Sequence, residues 1–170
     1  WTADLFYGKL NQDWKVESIA TRYWVMYQFL DELTVRAGRF IPVFGLNIPQ
    51  HTVITRQGLG FNEGQERNSL EAMWAGEKWN FVTTASQSVE GTTDDGIEQA
   101  ISTQVNYTLA DSYKVGGSYW LGTSDSMHRQ IFGLQTVLGF TEKWYMLAEL
   151  DYQVKNPIAA GGSQIGRAHV

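Results

Sequence analysis

The segment Trp144-Tyr-Met-Leu-Ala-Glu-Leu-Asp-Tyr-Gln-Val-Lys155 repeats with a period of two residues. Successive side chains of a strand point to opposite faces, so this period predicts a β-strand with one apolar face and one charged face. A helix would not separate the two sets. The apolar face would carry Trp144, Met146, Ala148, Leu150, Tyr152 and Val154, and the other Tyr145, Leu147, Glu149, Asp151, Gln153 and Lys155.

The same alternation recurs along the whole chain, in segments separated by turn-forming residues. Ile101 to Leu109 is the clearest second example, with Ile101, Val105 and Leu109 on its apolar face. Such repetition of short amphipathic strands predicts an all-β antiparallel fold of about nine strands. The remaining segments are 2–10, 20–29, 33–40, 68–75, 79–88, 113–121 and 131–140.

The predicted connections alternate in length. Short turns are expected at 30–32, 76–78, 110–112 and 141–143, and longer connections at 10–19, 43–66, 89–98 and 122–128. Transmembrane β-barrels have this asymmetry, with short periplasmic turns and longer extracellular loops. We therefore predict an antiparallel transmembrane β-barrel, here a partial one spanning residues 1–158.

Aromatic residues make up 14% of the chain and gather beside the predicted short turns. Tryptophan and tyrosine suit a boundary that is apolar on one side and wet on the other, so we interpret the set as a membrane-interface ring. The alternative is an ordinary soluble core, which also collects aromatics. The predicted interface residues are Phe29, Trp74, Trp79, Tyr107, Tyr113, Phe140 and Trp144.

The polar positions are rich in Ser, Thr, Asn, Gln and Gly and carry few charges. This composition favours a water-filled lumen over a soluble exterior, which usually carries more Lys and Glu. The net charge of −5 gives no basic stripe, so no nucleic-acid partner is expected. The chain has no cysteine, which excludes disulfides.

The stretch Leu33-Thr-Val-Arg-Ala-Gly-Arg-Phe-Ile-Pro-Val-Phe-Gly-Leu46 resembles a segment of phosphate-selective porins and related outer-membrane barrels. Those proteins carry V-R-x-G-x-F-x-x-P-F-G, although here Val43 separates Pro42 from Phe44-Gly45. The resemblance implies a porin-like channel in the bacterial outer membrane. The matching residues are Val35, Arg36, Gly38, Phe40 and Pro42.

The long connection 43–66 has few charges and several apolar anchors. A long ordered loop is often functional, so we expect this one to fold against the inner wall and narrow the pore. His51 and Arg56 are then candidate pore-lining residues. The alternative is a loop packed at the rim or on a neighbouring subunit.

The other candidate pore-lining residues are charged and have mixed signs. A ring of one sign would predict ion selectivity, so this mixture predicts weak selectivity. The alternative is that these groups pair across strands in the wall. The residues are Arg36, Lys114 and Lys155, which are positive, and Glu71, Glu149 and Asp151, which are negative.

Enzyme chemistry is not expected. The histidines are His51, His128 and His169, and no metal-ligand spacing or nucleophile-elbow motif occurs. No catalytic residue, metal or cofactor is therefore predicted.

The two ends of the sequence suggest a fragment. No export signal precedes Trp1, residues 159–170 are expected to be a disordered tail, and 165–170 resemble a translated sequencing adaptor.

The expected function is passive diffusion of small hydrophilic solutes. The expected partners are outer-membrane lipid, those solutes and a possible homo-oligomer. Two rivals stay open: an occluded barrel that acts as a scaffold for a partner, and a soluble β-barrel or sandwich that acts as a binding module.

Overall fold

A computed structural model describes residues 3–5, 21–46, 58–61, 64–90, 96–110, 112–141 and 143–158. Its strands form one antiparallel sheet in which each strand pairs with the next in sequence. Among the described strands, β1 and β9 form the two edges and do not pair with each other. The strands are β1 (Ala3–Leu5), β2 (Thr21–Gln28), β3 (Leu33–Phe40), β4 (Arg67–Ala75), β5 (Trp79–Ser88), β6 (Gln99–Ala110), β7 (Tyr113–Thr123), β8 (Met127–Thr141) and β9 (Trp144–Pro157).

The predicted all-β antiparallel fold of about nine strands is confirmed. The alternation of the sequence determines the two faces, because paired residues of neighbouring strands point the same way. One such row crosses the sheet from Arg36 through Glu71, Thr84 and Ser102 to Trp120. Polar residues therefore line up with polar residues over most of the sheet.

The predicted short turns are present at the expected places. The backbone N–H of Phe29 donates to the carbonyl of Leu33 at 2.9 Å, and that of Gly76 donates to the carbonyl of Trp79 at 2.8 Å. These bonds close hairpins and set the register of the strands that follow.

The predicted long connection at 122–128 is wrong. Only residues 124–126 lie outside the strands, because the N–H of Ser124 donates to the carbonyl of Met127 at 2.8 Å and closes a tight turn. Thr123 and His128 remain paired across the hairpin. Serine and aspartate favour turns of any length, so their presence did not determine how long the connection is.

Candidate functional site

The two faces of the sheet differ in the side chains that they expose. One face, called here the apolar face, exposes its large side chains: Leu134 is 65% exposed and Leu150 is 71% exposed. The other, called the polar face, carries buried hydrophilic side chains such as Ser102, Gln104 and Gln135. No described element covers the apolar face, so the second layer of a sandwich is not seen in this part of the chain.

A stretch that follows β3 lies on the polar face. We call residues 41–46 and 58–61 the inner segment. The N–H of Gly45 donates to the hydroxyl of Ser118 on β7 at 3.0 Å, and the side-chain amide of Gln104 on β6 donates to the carbonyl of Gly45 at 2.6 Å. Gly45 has φ of +59°, which favours glycine. A Cβ there would also meet the Glu149 carboxylate.

Aromatic packing holds the inner segment at a second point. Phe44 and Phe61 stack with ring centroids 4.9 Å apart, and Phe61 meets Trp120 edge-on at 4.9 Å. Trp120 and Ile131 of the wall are completely buried beneath this packing. Burial of an aromatic side chain contributes on the order of 2 kcal/mol, so the contact fixes the segment.

A buried ionic cluster completes the attachment. The Glu98 carboxylate binds Arg67, and it binds Arg129 through two hydrogen bonds of 2.9 and 2.7 Å. Arg129 also donates to the carbonyl of Leu59 in the inner segment at 2.7 Å. The guanidinium groups of Arg67 and Arg129 lie over the Trp120 ring, at 4.8 and 5.4 Å from its centroid. One cluster of charged side chains thus joins the sheet to the inner segment.

Two carboxylates outside the strands have lowered pKa values. Burial raises the pKa of Glu98, but Arg129 and Arg67 outweigh it and hold that pKa below the ordinary value of 4.5. Burial likewise raises the pKa of Glu66, but the hydrogen bond and charge of Arg22 together with backbone N–H donors, including that of Gly64, outweigh it, so the net shift is downward. Both groups are therefore charged at neutral pH.

Two of the predicted pore residues form a pair. Arg36 donates to Glu71 at 2.6 Å, and the Thr84 hydroxyl donates to the other oxygen of Glu71 at 2.8 Å. Glu71 is fully buried, so this ion pair links neighbouring strands of the sheet. Arg36 is the more accessible of the two residues. Arg36 and Glu71 therefore follow the alternative given above, in which charged groups pair across strands of the sheet.

The other predicted pore residues do not converge on one point. Glu149, Asp151 and Lys155 share the polar face of β9, at the edge of the sheet. Both carboxylate oxygens of Asp151 are buried without a hydrogen-bond partner in the described part of the protein. Lys114 lies farther along the polar face, towards the short turns, and its side chain is exposed. His51 and Arg56 fall outside the described residues.

The predicted interface aromatics all lie at the short-turn end of the sheet. The Trp79 ring lies tilted against Tyr107 with centroids 4.5 Å apart, and it stacks on Phe81 with centroids 5.9 Å apart. Trp144, at 74%, is the most exposed of the set. Phe29, Trp74, Tyr113 and Phe140 are also exposed. The group forms a band of large rings along one end of the apolar face.

Sequence reasoning missed the residues that attach the inner segment. Glu98 lies 31 residues from Arg67 and 31 residues from Arg129, so no local spacing connects the three residues. Trp120 and its partner Ile131 fall on the polar face although they are apolar, which is a local signal of a buried contact there.

In the described ranges, no group of three His, Asp or Glu side chains could hold a metal ion. No described helix has the length and apolar character needed to cross a membrane. No family model, curated protein or solved structure matches the chain.

Proposed function

We propose that this chain forms part of the wall of a porin-like channel in the bacterial outer membrane, through which small hydrophilic solutes diffuse passively. In this proposal the apolar face meets lipid and the polar face meets the water-filled lumen. The band of rings at the short-turn end lies at a membrane interface, where aromatic belts stabilise outer-membrane barrels.

The observation that carries the proposal is the reversal of burial between the faces. A soluble protein that left so many large apolar side chains exposed on one continuous surface would aggregate or need a partner. Conversely, the interior of a soluble sheet protein is mostly apolar, whereas the buried polar face of this sheet carries the Arg36–Glu71 and Arg67–Glu98 ion pairs. A sheet between lipid and water needs both features.

The dimensions of the sheet agree with this assignment. The apolar face of β6 runs from Ile101 to Leu109, and at about 3.3 Å per residue this is roughly 26 Å of strand. A transmembrane strand needs about 9–11 residues when it is tilted. The free edges of β1 and β9 must then pair, with each other or with additional strands, because unpaired backbone groups are not tolerated in hydrocarbon.

The inner segment gives the channel its constriction. Gly45, Phe44 and Phe61 lie on the polar face and occupy space that would otherwise be lumen. The segment is fixed by backbone hydrogen bonds, aromatic packing and the Glu98 cluster, so it narrows the path permanently instead of moving with solvent. Solute size is then limited at this level.

Planar-bilayer recording tests the proposal. We expect the purified protein to insert from detergent and to give stepwise ion currents with weak preference between cations and anions. Protein that stays in the bilayer through a carbonate wash but carries no current would contradict a channel. Protein that leaves the membrane pellet without detergent would contradict the barrel itself.

The constriction has its own test. Replacing Phe44 and Phe61 by alanine removes the stacked pair, so the single-channel conductance should increase. The matched control is Phe132→Ala, which removes a phenylalanine from the apolar face and should leave the conductance unchanged. Equal conductance in all three proteins would reject the constriction.

A second function is supported by the same packing. Because the inner segment fills part of the polar face, an occluded barrel that serves as a scaffold is consistent with the contacts of Gly45 and Trp120. Such a barrel would remain in the membrane and conduct little, and it would begin to conduct when Phe44 and Phe61 are removed.

A further inference from the structure

A small cavity lies on the polar face between the inner segment and the short turns. Its volume is about 270 Å³, just below the range of pockets that hold drug-sized ligands. The cavity is therefore large enough for one small molecule. The polar groups around it belong to Gly45, Asn80, Gln104, Asn106, Lys114 and Gln135.

A chain of hydrogen bonds determines which groups face this cavity. The backbone N–H of Gly45 can only donate, and it donates to the hydroxyl oxygen of Ser118. Ser118 in turn donates to the carbonyl oxygen of Gln135 at 3.3 Å, and the Gln135 amide donates to the carbonyl oxygen of Asn106 at 3.0 Å. The NH₂ group of Asn106 is consequently left over, so the chain ends in a donor.

Two further donors lie beside the Asn106 amide. Asn80 is its direct neighbour across the β5–β6 pair, and Lys114 lies on β7 next to it. Within the described residues, neither the Asn80 nor the Lys114 side chain makes a hydrogen bond or ion pair. The cavity therefore offers amide donors and one ammonium group to whatever enters it.

We propose that this cavity binds the carboxylate group of a small solute on the short-turn side of the constriction. The inference rests on the proposed channel function and specifies one class of solute. A carboxylate accepts through two oxygens and is charged, which matches neighbouring amide donors reinforced by a cation. Glu149 pairs with Gln135 on β9, its carboxylate lies against Gly45 at the edge of the cavity, and it has contacts of its own. Its negative charge keeps the binding weak, as passage through a channel requires.

Titration with acetate and acetamide tests this site directly. The two probes have nearly the same shape and differ in charge. In ¹⁵N-labelled protein in detergent micelles at constant ionic strength, acetate should shift the side-chain amide signals of Asn80 and Asn106 saturably. Acetamide should shift them far less.

Variants assign the effect to its donors. Asn106→Leu should weaken acetate binding about tenfold, because it removes a hydrogen bond to a charged group. Lys114→Gln should weaken it about threefold, since an exposed cation is partly screened by water and salt. Lys143→Gln is the matched control, in an exposed short turn outside the cavity, and should change nothing.

The outcomes separate this inference from the proposed function. Equal shifts with acetate and acetamide, or acetate shifts that survive Lys114→Gln unchanged, would overturn the carboxylate site even if the protein conducts ions. Saturable acetate binding in a protein that carries no current would support the site and contradict the channel. Lys114→Gln keeps the test decisive if Asn106→Leu fails to fold, because the Lys114 side chain is exposed and makes no hydrogen bond or ion pair within the described residues.

Discussion

Leu134→Arg distinguishes a sheet whose apolar face meets lipid from one whose apolar face meets water. Leu134 is the middle residue of the 15-residue strand β8 and is 65% exposed on the apolar face. Each end of β8 is about 24 Å away along the strand at about 3.4 Å per residue. In a tilted barrel strand, Leu134 would thus lie near the centre of the hydrocarbon.

The two environments give very different magnitudes. On a water-exposed surface, replacing a leucine by arginine changes the free energy of unfolding by about 0.5 kcal/mol or less. On the lipid face of a barrel near the midplane, arginine costs about 2–4 kcal/mol. That range corresponds to a change of about 30- to 700-fold in the unfolding equilibrium constant.

Urea unfolding in phospholipid vesicles, followed by tryptophan fluorescence, measures the difference. The matched control is Gln99→Arg, at the long-loop end of the apolar face, where the cost should be about 0–1 kcal/mol. A loss of less than about 0.5 kcal/mol for Leu134→Arg, equal to that of the control, would refute the assignment of this face to lipid.

Two further substitutions test the attachment of the inner segment. Glu98→Gln leaves two buried arginines without their carboxylate and should cost about 3 kcal/mol of unfolding free energy, whereas Glu90→Gln, at an exposed position, should cost almost nothing. The folded-state pKa of Glu98 lies below 4.5, so the charged carboxylate stabilises the folded state fully above pH 4.5, and this contribution is lost as the pH falls through the folded-state pKa. The loss of stability in acid should therefore be smaller in Glu98→Gln. An unchanged dependence of the unfolding free energy on pH would contradict the role of the cluster. Gly45→Ala should loosen the inner segment around residue 45 and change the single-channel conductance, because alanine is strained at φ of +59° and the Glu149 carboxylate must move away from its Cβ. Gly58→Ala, which meets no atoms within 4 Å, is the control; equal single-channel conductance in the two variants would reject this reasoning.

Side-chain periodicity made the faces of the sheet predictable. The alternation in 144–155 placed Leu150 on the apolar face and Asp151 on the charged face, and the structure agrees, because successive side chains of a strand point to opposite faces. Strand number and turn positions followed from the same pattern.

Connections and long-range pairs were less predictable. The connection predicted at 122–128 is a tight turn. Serine and aspartate occur both in long loops and in tight hairpin turns, so these residue types did not determine the length of the connection. The Arg36–Glu71 pair consists of two predicted residues, yet their contact depends on the register between β3 and β4. The Glu98 cluster was missed because its arginines are separated from it by 31 residues.

The amino-acid sequence by itself determined that this protein is an antiparallel sheet with one apolar and one polar face. Period-two alternation is a local property, and each strand carries its own copy of it. Only the tertiary structure decided what lies on the polar face. Two contacts depend on the order and register of several paired hairpins. They are the contact of Gly45 with Ser118 and the binding of Glu98 by both Arg67 and Arg129. These contacts form only when the hairpins pair, so no single segment of the sequence predicts them.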